Sequence, residues 1–244
     1  ASRLGNKVAL IEEYKHIGGL MTGGLSFSDF ISTEALSGTF NEYRFRVLAY
    51  YENKYGKNSS QVKDSYFGVN AEPHVTMMIF NQMLAEVPGI KVYTQHRISK
   101  TIVTKNKQGK SIIQSASFIN LIDKKSLIIS SKVYIDATYE GDLAISAGAE
   151  YKIGRESRTE YCERYAGHIF SKNGQILPGG TGEGDKKIQA YNFRIIMTDS
   201  AEIRKMVEMP KNYIRSKYLP ISEVFTKGEI HHVFTNANDG VIRS

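Results

Sequence analysis

The sequence predicts an α/β fold built around a parallel sheet, and three observations carry that prediction. Val8-Ala9-Leu10-Ile11 is an apolar run without polar alternation, the pattern of a strand covered on both faces, and Glu12-Glu13 follow it at once. Two glycine pairs come next, Gly18-Gly19 and Gly23-Gly24, where backbone lacking Cβ lets a ligand approach closely. Further on, Val133-Tyr134-Ile135 runs into Asp136-Ala137-Thr138 and a short helix, a second strand–loop–helix unit with acids at its carboxyl end. Ligands bind at that end of the strands in α/β folds, and an acid there accepts hydrogen bonds from ribose hydroxyls. The order strand, acid, glycine pairs points to a dinucleotide site. The plainer alternative is a solvated strand end followed by ordinary turns.

The elements follow in order. Ala1 to Gly5 reads as the tail of a helix, with Gly5 suited to the left-handed position that closes it. Thr39 to Tyr55 reads as a helix, because Phe40, Tyr43, Val47, Leu48 and Tyr51 fall on one face. Asn58 to Asn70 is polar and reads as loop. Glu72-Pro73 opens a second helix with Val75, Met78, Ile79 and Met83 on its apolar face, and Pro88-Gly89 ends it. From Ile90 the period changes to that of strands: Ile90 to Tyr93, Ile98 to Thr104, Ile112 to Ile122, Leu127 to Ile129 and Val133 to Ile135. Turn chemistry at Gln108-Gly109-Lys110 and Asp123-Lys124-Lys125 makes this an antiparallel excursion from the main sheet. A helix from about Asp142 to Ala147 closes at Gly148. Beyond residue 150 the chain is glycine-rich around Gly174 to Gly184, and Gln189 to Thr198 alternates like a strand. The expected domains are 1–150, a dinucleotide-binding unit, and 151–244, part of a second α+β substrate or cap domain.

Composition limits the function. With 244 residues, 41% of them hydrophobic, the chain is long enough for one or two cored domains. The net charge of +7 is spread along the chain, densest only at Lys105 to Lys110, without the aromatic interleaving that nucleic-acid binding uses. A small-molecule partner is expected instead, and a basic surface favours an anionic one. Cys162 is the single cysteine, which excludes an intrachain disulfide and dithiol redox chemistry. No run approaches the roughly 18 apolar residues of a membrane helix. No signal peptide opens the chain. Because the N-terminus reads as truncated, both a cytoplasmic and an exported location stay open. His231-His232 are adjacent and would point to opposite faces of a strand, so no metal site is expected. His16 lies in the glycine-rich segment, while His96 and His168 have no evident partners. The sequence assigns no catalytic residue.

Several segments together resemble a known family. Ala1-Ser2-Arg3-Leu4-Gly5, the Ile11-Glu12-Glu13 strand end, His16-Ile17-Gly18-Gly19 and Met21-Thr22-Gly23-Gly24-Leu25 resemble FAD-dependent oxidoreductases of the glutathione-reductase-like superfamily. The nearest group is the large bacterial FAD-dependent oxidoreductase family with a GG-x-x-T-G-G-L segment. Tyr134-Ile135-Asp136-Ala137-Thr138 is similar to that family's second flavoprotein motif, and Gly154-Arg155-Glu156, Gln189 to Arg194 and Pro210 to Tyr218 resemble it too.

The resemblance implies an FAD/NAD(P)-binding Rossmann-like sheet and flavin-mediated hydride or electron transfer on a small substrate. It places Glu12 on the adenosine ribose, and Gly18, Gly19, Thr22 and Gly23 along the pyrophosphate towards the flavin. It places the Ile98 backbone against adenine, and Ala137-Thr138 near the pyrophosphate. Asn192 and Arg194 are candidates for an anionic substrate. Three departures accompany it. There is no Gly-x-Gly-x-x-Gly loop, Tyr139 stands where the family often has glycine, and a later flavin-contacting segment is absent. The expectation is therefore a fragment, lacking the first strand, the phosphate loop and the C-terminal part, that is catalytically silent by itself and holds FAD weakly because the loop supplies the anion-binding N–H groups. A cofactor-free binding or assembly domain that keeps the flavoprotein fold is the alternative.

Overall fold

A computed structural model describes residues 1–25, 27–172, 174–189 and 201–227. Its strands are β1 (Val8–Ile11), β2 (Ile90–Tyr93), β3 (His96–Lys105), β4 (Ser111–Asn120), β5 (Ser126–Ile129), β6 (Ser171–Lys172) and β7 (Gln175–Ile176). Its helices are α1 (Leu20–Gly23), α2 (Gly38–Tyr55), α3 (Ser60–Asp64), α4 (Pro73–Ala85), α5 (Asp142–Ser146), α6 (Arg158–Tyr161) and α7 (Leu219–Thr226). The chain divides into two compact units, Ala1–Leu10 with Lys15–Val92 and Arg194–Ser244, and Ile11–Tyr14 with Tyr93–Phe193. The expected boundary near residue 150 falls inside the second of these.

The first unit is organised by α2 and α4. Tyr43, Val47 and Tyr51 on α2 repeat at helical spacing and bury against Val75, Ile79 and Met83 of α4. The polar atoms inside this core are paired. The Tyr43 and Thr76 hydroxyls share a hydrogen bond of 2.8 Å, and the Tyr51 hydroxyl donates to Glu72 Oε2 at 3.1 Å and accepts from Glu72 N–H at 3.1 Å. Pro73 occupies the first turn of α4, where its missing N–H costs nothing. Arg46 ties the helix surfaces together, donating to Glu86 of the loop after α4 at 2.5 Å and to Glu42 at 2.6 Å. The expected loop at 58–70 contains α3, whose start the Ser59 hydroxyl caps by accepting from Val62 N–H at 3.2 Å. The predicted helix tail at the start is a 3-10 turn, Ser2–Leu4, closed by Gly5 at φ 83°.

β1 and β2 pair in parallel. Val8 N–H donates to Gly89 O and Glu12 N–H to Tyr93 O, so both strands advance together. β1 is less covered than its apolar run predicts: Val8, Leu10 and Ile11 are half-buried and Ala9 is exposed. Among the described residues it pairs with β2 alone, so the covering expected of a central strand is not reached.

The second unit contains the antiparallel sheet, in order β3-β4-β5, with Thr101 opposite Ala116 and Ala116 opposite Ile129. Both turns form where expected. The Asn106 carboxamide oxygen accepts from Gln108 and Lys110 N–H, and the Asn120 carboxamide oxygen accepts from Ile122 and Asp123 N–H. α5 packs on β3, where Thr101 Oγ1 donates to Ser146 O at 2.5 Å. The expected strand Val133 to Ile135 is not formed. Val133 and Ile135 are 70% and 78% exposed, while the Tyr134 hydroxyl donates to Ile129 O at 3.0 Å. Without a ladder partner among the described residues, an apolar triplet has nothing to hold it extended. The expected strand at 189–198 lies outside the described residues from 190 onward.

Candidate functional site

In the second unit Glu12 stands at the carboxyl end of β1. Its main chain is fixed on both sides, N–H to Tyr93 O and C=O from His96 N–H, each at 2.9 Å. Its carboxylate folds back so that Oε1 accepts from Tyr14 N–H at 2.9 Å. The half-buried side chain is thus oriented, among the described residues, by backbone. The neighbouring acid behaves differently: Glu13 is paired with the Arg97 guanidinium, whose Nε donates at 2.8 Å. That pairing raises the Arg97 pKa. His96 has partners that its sequence context does not reveal. Its Nδ1 lies 2.7 Å from Thr94 O and its Nε2 lies 3.4 Å from the Asn120 carboxamide nitrogen.

Ile98 is half-buried on β3 beside a register shift between Ile98 and Lys100. The extra residue is Ser99, whose hydroxyl donates to Ser117 O at 3.0 Å. Ala137 and Thr138 are exposed on a loop held from beneath by Asp136. The Asp136 carboxylate accepts from Thr138 N–H at 3.0 Å, from the Thr138 hydroxyl at 2.7 Å and from Ala144 N–H of α5 at 2.8 Å. Thr138 Oγ1 in turn accepts from Asp142 N–H at 2.8 Å. Partial burial pushes the Asp136 pKa up, but the donors from Ala144, Thr138 and Leu143 outweigh it, and the net direction is down. The sequence marks Asp136 only as an acid at a strand end. Its role in fixing the Ala137-Thr138 loop follows from the Asp-x-Thr spacing, an Asx-turn signal that was there to be used.

In the first unit the glycine-rich segment winds into α1. Gly18 has φ 94°, and a Cβ there would stand 2.7 Å from the Phe80 ring and 2.8 Å from the Thr22 methyl. The glycine is thus required by packing against α4. Gly19 has φ 54° and accepts from Gly23 N–H at 2.9 Å, while the Thr22 hydroxyl donates to Ile17 O at 2.6 Å. Around Gly23 and Gly24 a Cβ would meet nothing, so this backbone is open to approach. His16 is exposed.

The other sequence candidates are not drawn together. Asn192, Arg194, His231 and His232 lie outside the described residues. His168 packs edge-on against Phe170, with ring centroids 5.0 Å apart. Cys162 is exposed. Among the described residues no group of three metal-ligating side chains converges, and no helix is long and apolar enough to cross a membrane. A cavity of about 580 Å³ opens between Ser2, Arg3, Glu42, Glu86 and Gly89, and no predicted site residue lines it.

Comparison with known proteins decides the family. A family model described as FAD dependent oxidoreductase matches residues 1–242. The chain belongs to the FAD-dependent oxidoreductase family. No curated protein and no solved structure matches it. Membership brings FAD as the cofactor, a Rossmann-like α/β fold and a small-molecule substrate. The residues suit FAD at its ribose end, where an oriented carboxylate at a parallel strand terminus is the acceptor that hydroxyls need. They also suit a close backbone approach at Gly23 and Gly24. As members of the FAD-dependent oxidoreductase family go, this sequence carries no Gly-x-Gly-x-x-Gly loop within its 244 residues.

Proposed function

We propose that residues 1–150 of this chain serve FAD and residues 151–244 a small anionic substrate, in a flavin-mediated transfer of hydride or electrons. Glu12 accepts hydrogen bonds from the adenosine ribose, and its charge disfavours a 2′-phosphate, so FAD is held in preference to NADP. Gly19, Thr22 and Gly23 line the approach of the pyrophosphate and flavin, and Gly18 seats that segment on Phe80. Ile98 offers its backbone to adenine, and Ala137-Thr138 passes the pyrophosphate side. When bound, the isoalloxazine supplies the redox chemistry, and the chain's own part is to bind, orient and exclude water. Asn192 and Arg194 are the substrate-side candidates. In this reading the flavoprotein is of the glutathione-reductase-like type.

The observation that carries the proposal is Glu12, held at the carboxyl end of a parallel strand with Oε1 fixed by Tyr14 N–H. Titration of the purified protein with FAD and with NADP in parallel tests it. FAD is expected to bind the tighter of the two, and tighter binding of NADP would overturn the assignment of Glu12. Glu12→Ala should weaken FAD binding by about 1.5–3 kcal/mol, one charge-assisted hydrogen bond, without unfolding the protein. Unchanged binding would make Glu12 an ordinary strand end.

A further inference from the structure

Two arginines three residues apart in the second unit are treated very differently. Segments 155–158 and 182–185 are clasped by main-chain bonds: Arg155 N–H to Asp185 O at 2.8 Å, Asp185 N–H to Arg155 O at 3.0 Å, and Arg158 N–H to Gly182 O at 2.8 Å. Arg155 turns the Nε–Nη2 edge of its guanidinium to both oxygens of Asp185, with Nε to Oδ1 at 2.9 Å. The pairing raises the Arg155 pKa and holds Asp185 down at about 2, the Arg155 hydrogen bond being the largest cause. That edge is thus satisfied in the bidentate manner that suits a carboxylate.

Arg158 presents the same edge without a partner. Its Nε and Nη2 are both buried from solvent, and neither has a hydrogen-bond partner. Buried guanidinium nitrogens without acceptors are costly, and such groups in folded proteins mark a strained or functional position. The geometry around it is specific. The guanidinium lies flat against buried Gly182, where a Cβ would stand 3.0 Å from Nε, 3.1 Å from Cζ and 3.2 Å from Nη2. Gly182 is itself seated against Gly167, at which a Cβ would come within 2.4 Å of Gly182 O. Two glycines at positive φ thus make room for a charged planar group whose Nε and Nη2 meet no acceptor among the described residues.

We infer that the Nε–Nη2 edge of Arg158 is a binding site for the carboxylate of a small-molecule ligand. This rests on the proposal that residues 151–244 form the substrate side, and it narrows the substrate class to carboxylates. A planar two-oxygen group matches the two parallel N–H bonds, as Asp185 does on Arg155, whereas a lysine ammonium cannot offer that fork. Neither hydride transfer nor bound FAD is needed for the contact.

The test is calorimetric titration of the 244-residue protein with succinate, with inorganic phosphate run in parallel. Saturable binding of succinate is expected, weakened about tenfold in Arg158→Lys and lost in Arg158→Gln, because the fork and then the charge are removed. Near-ultraviolet circular dichroism and the thermal midpoint establish that both variants are folded. Should Arg158→Gln unfold, Arg158→Lys alone decides. Succinate affinity equal in wild type and Arg158→Lys, or binding of phosphate but not succinate, would overturn the inference. So would the absence of saturable binding to the wild-type protein. FAD titration of the same samples separates the two ideas. FAD binding with no carboxylate binding removes this inference alone, and carboxylate binding without FAD binding removes only the cofactor assignments.

Discussion

Replacing Gly18 by alanine asks whether the glycine-rich segment is shaped by packing. The residue sits at φ 94°, outside the region open to L-residues, and forcing a side chain there costs about 1–2 kcal/mol. The new Cβ would also stand 2.7–2.8 Å from the Phe80 ring and the Thr22 methyl, closer than real contacts allow. Overpacking of this kind costs about 1–3 kcal/mol. Together the two give about 2–5 kcal/mol, or a urea midpoint lowered by about 1–2 M at the slope usual for this size. Phe80 also packs at a tilt against Tyr43, with centroids 5.1 Å apart, so trimming it has its own cost. A cycle of Gly18→Ala, Phe80→Leu and the double variant isolates the clash, and about 1–3 kcal/mol should return in the double variant. The assay is urea unfolding followed by far-ultraviolet circular dichroism without added nucleotide. An unchanged midpoint for Gly18→Ala, or strict additivity in the cycle, would refute the packing argument and leave ligand approach as the reason for glycine.

Three further outcomes are expected. Asp136→Asn should cost about 2 kcal/mol, because an ionised acceptor of several N–H and O–H donors is replaced by a neutral one with a single oxygen. The Asp136 pKa is lower in the folded chain than unfolded, so its contribution is present above the ordinary aspartate range and is lost as pH falls through the folded value. The pH dependence of the urea midpoint should therefore flatten at its acidic end in the variant, and an identical profile would contradict this. The Arg3 hydrogen bond, opposed by partial desolvation and helped by Arg46, holds Glu42 down to about 2. Stability should accordingly fall between pH 4.5 and about 2 in the wild type, and less so in Glu42→Gln, whereas parallel curves would dismiss the ion network. Flavin fluorescence titration of residues 1–244 should show weak FAD binding, since no Gly-x-Gly-x-x-Gly loop is present to supply phosphate-binding N–H groups. Tight stoichiometric quenching would show that other backbone serves.

What was legible in the sequence was what local chemistry decides. The periods of α2 and α4, Pro73 in a first turn, and the Asn106 and Asn120 turns fixed those helices and the β3-β4-β5 meander to within a few residues. Val133 to Ile135 was misread because β propensity says nothing about whether a partner strand is at hand, and the triplet is left exposed. The hydrophobic run of β1 likewise overstated its burial. At the candidate site, Glu12 and the Ala137-Thr138 loop stand out by type and position. The Phe80 contact at Gly18 and the orphaned edge of Arg158 arise from residues distant in sequence, which no local pattern encodes.

The parallel pairing of β1 with β2 also bears on how the chain is made. Val8 and Gly89 are hydrogen-bonded partners, yet about eighty residues of translation separate them. At roughly 5–20 residues per second, β1 waits about 4–16 s on the ribosome before its partner strand exists. Over that interval α2 and α4 can already close their shared core, since both are complete before Ile90 emerges. The strand end that carries Glu12 thus gains its partner Tyr93 only after both helices are complete.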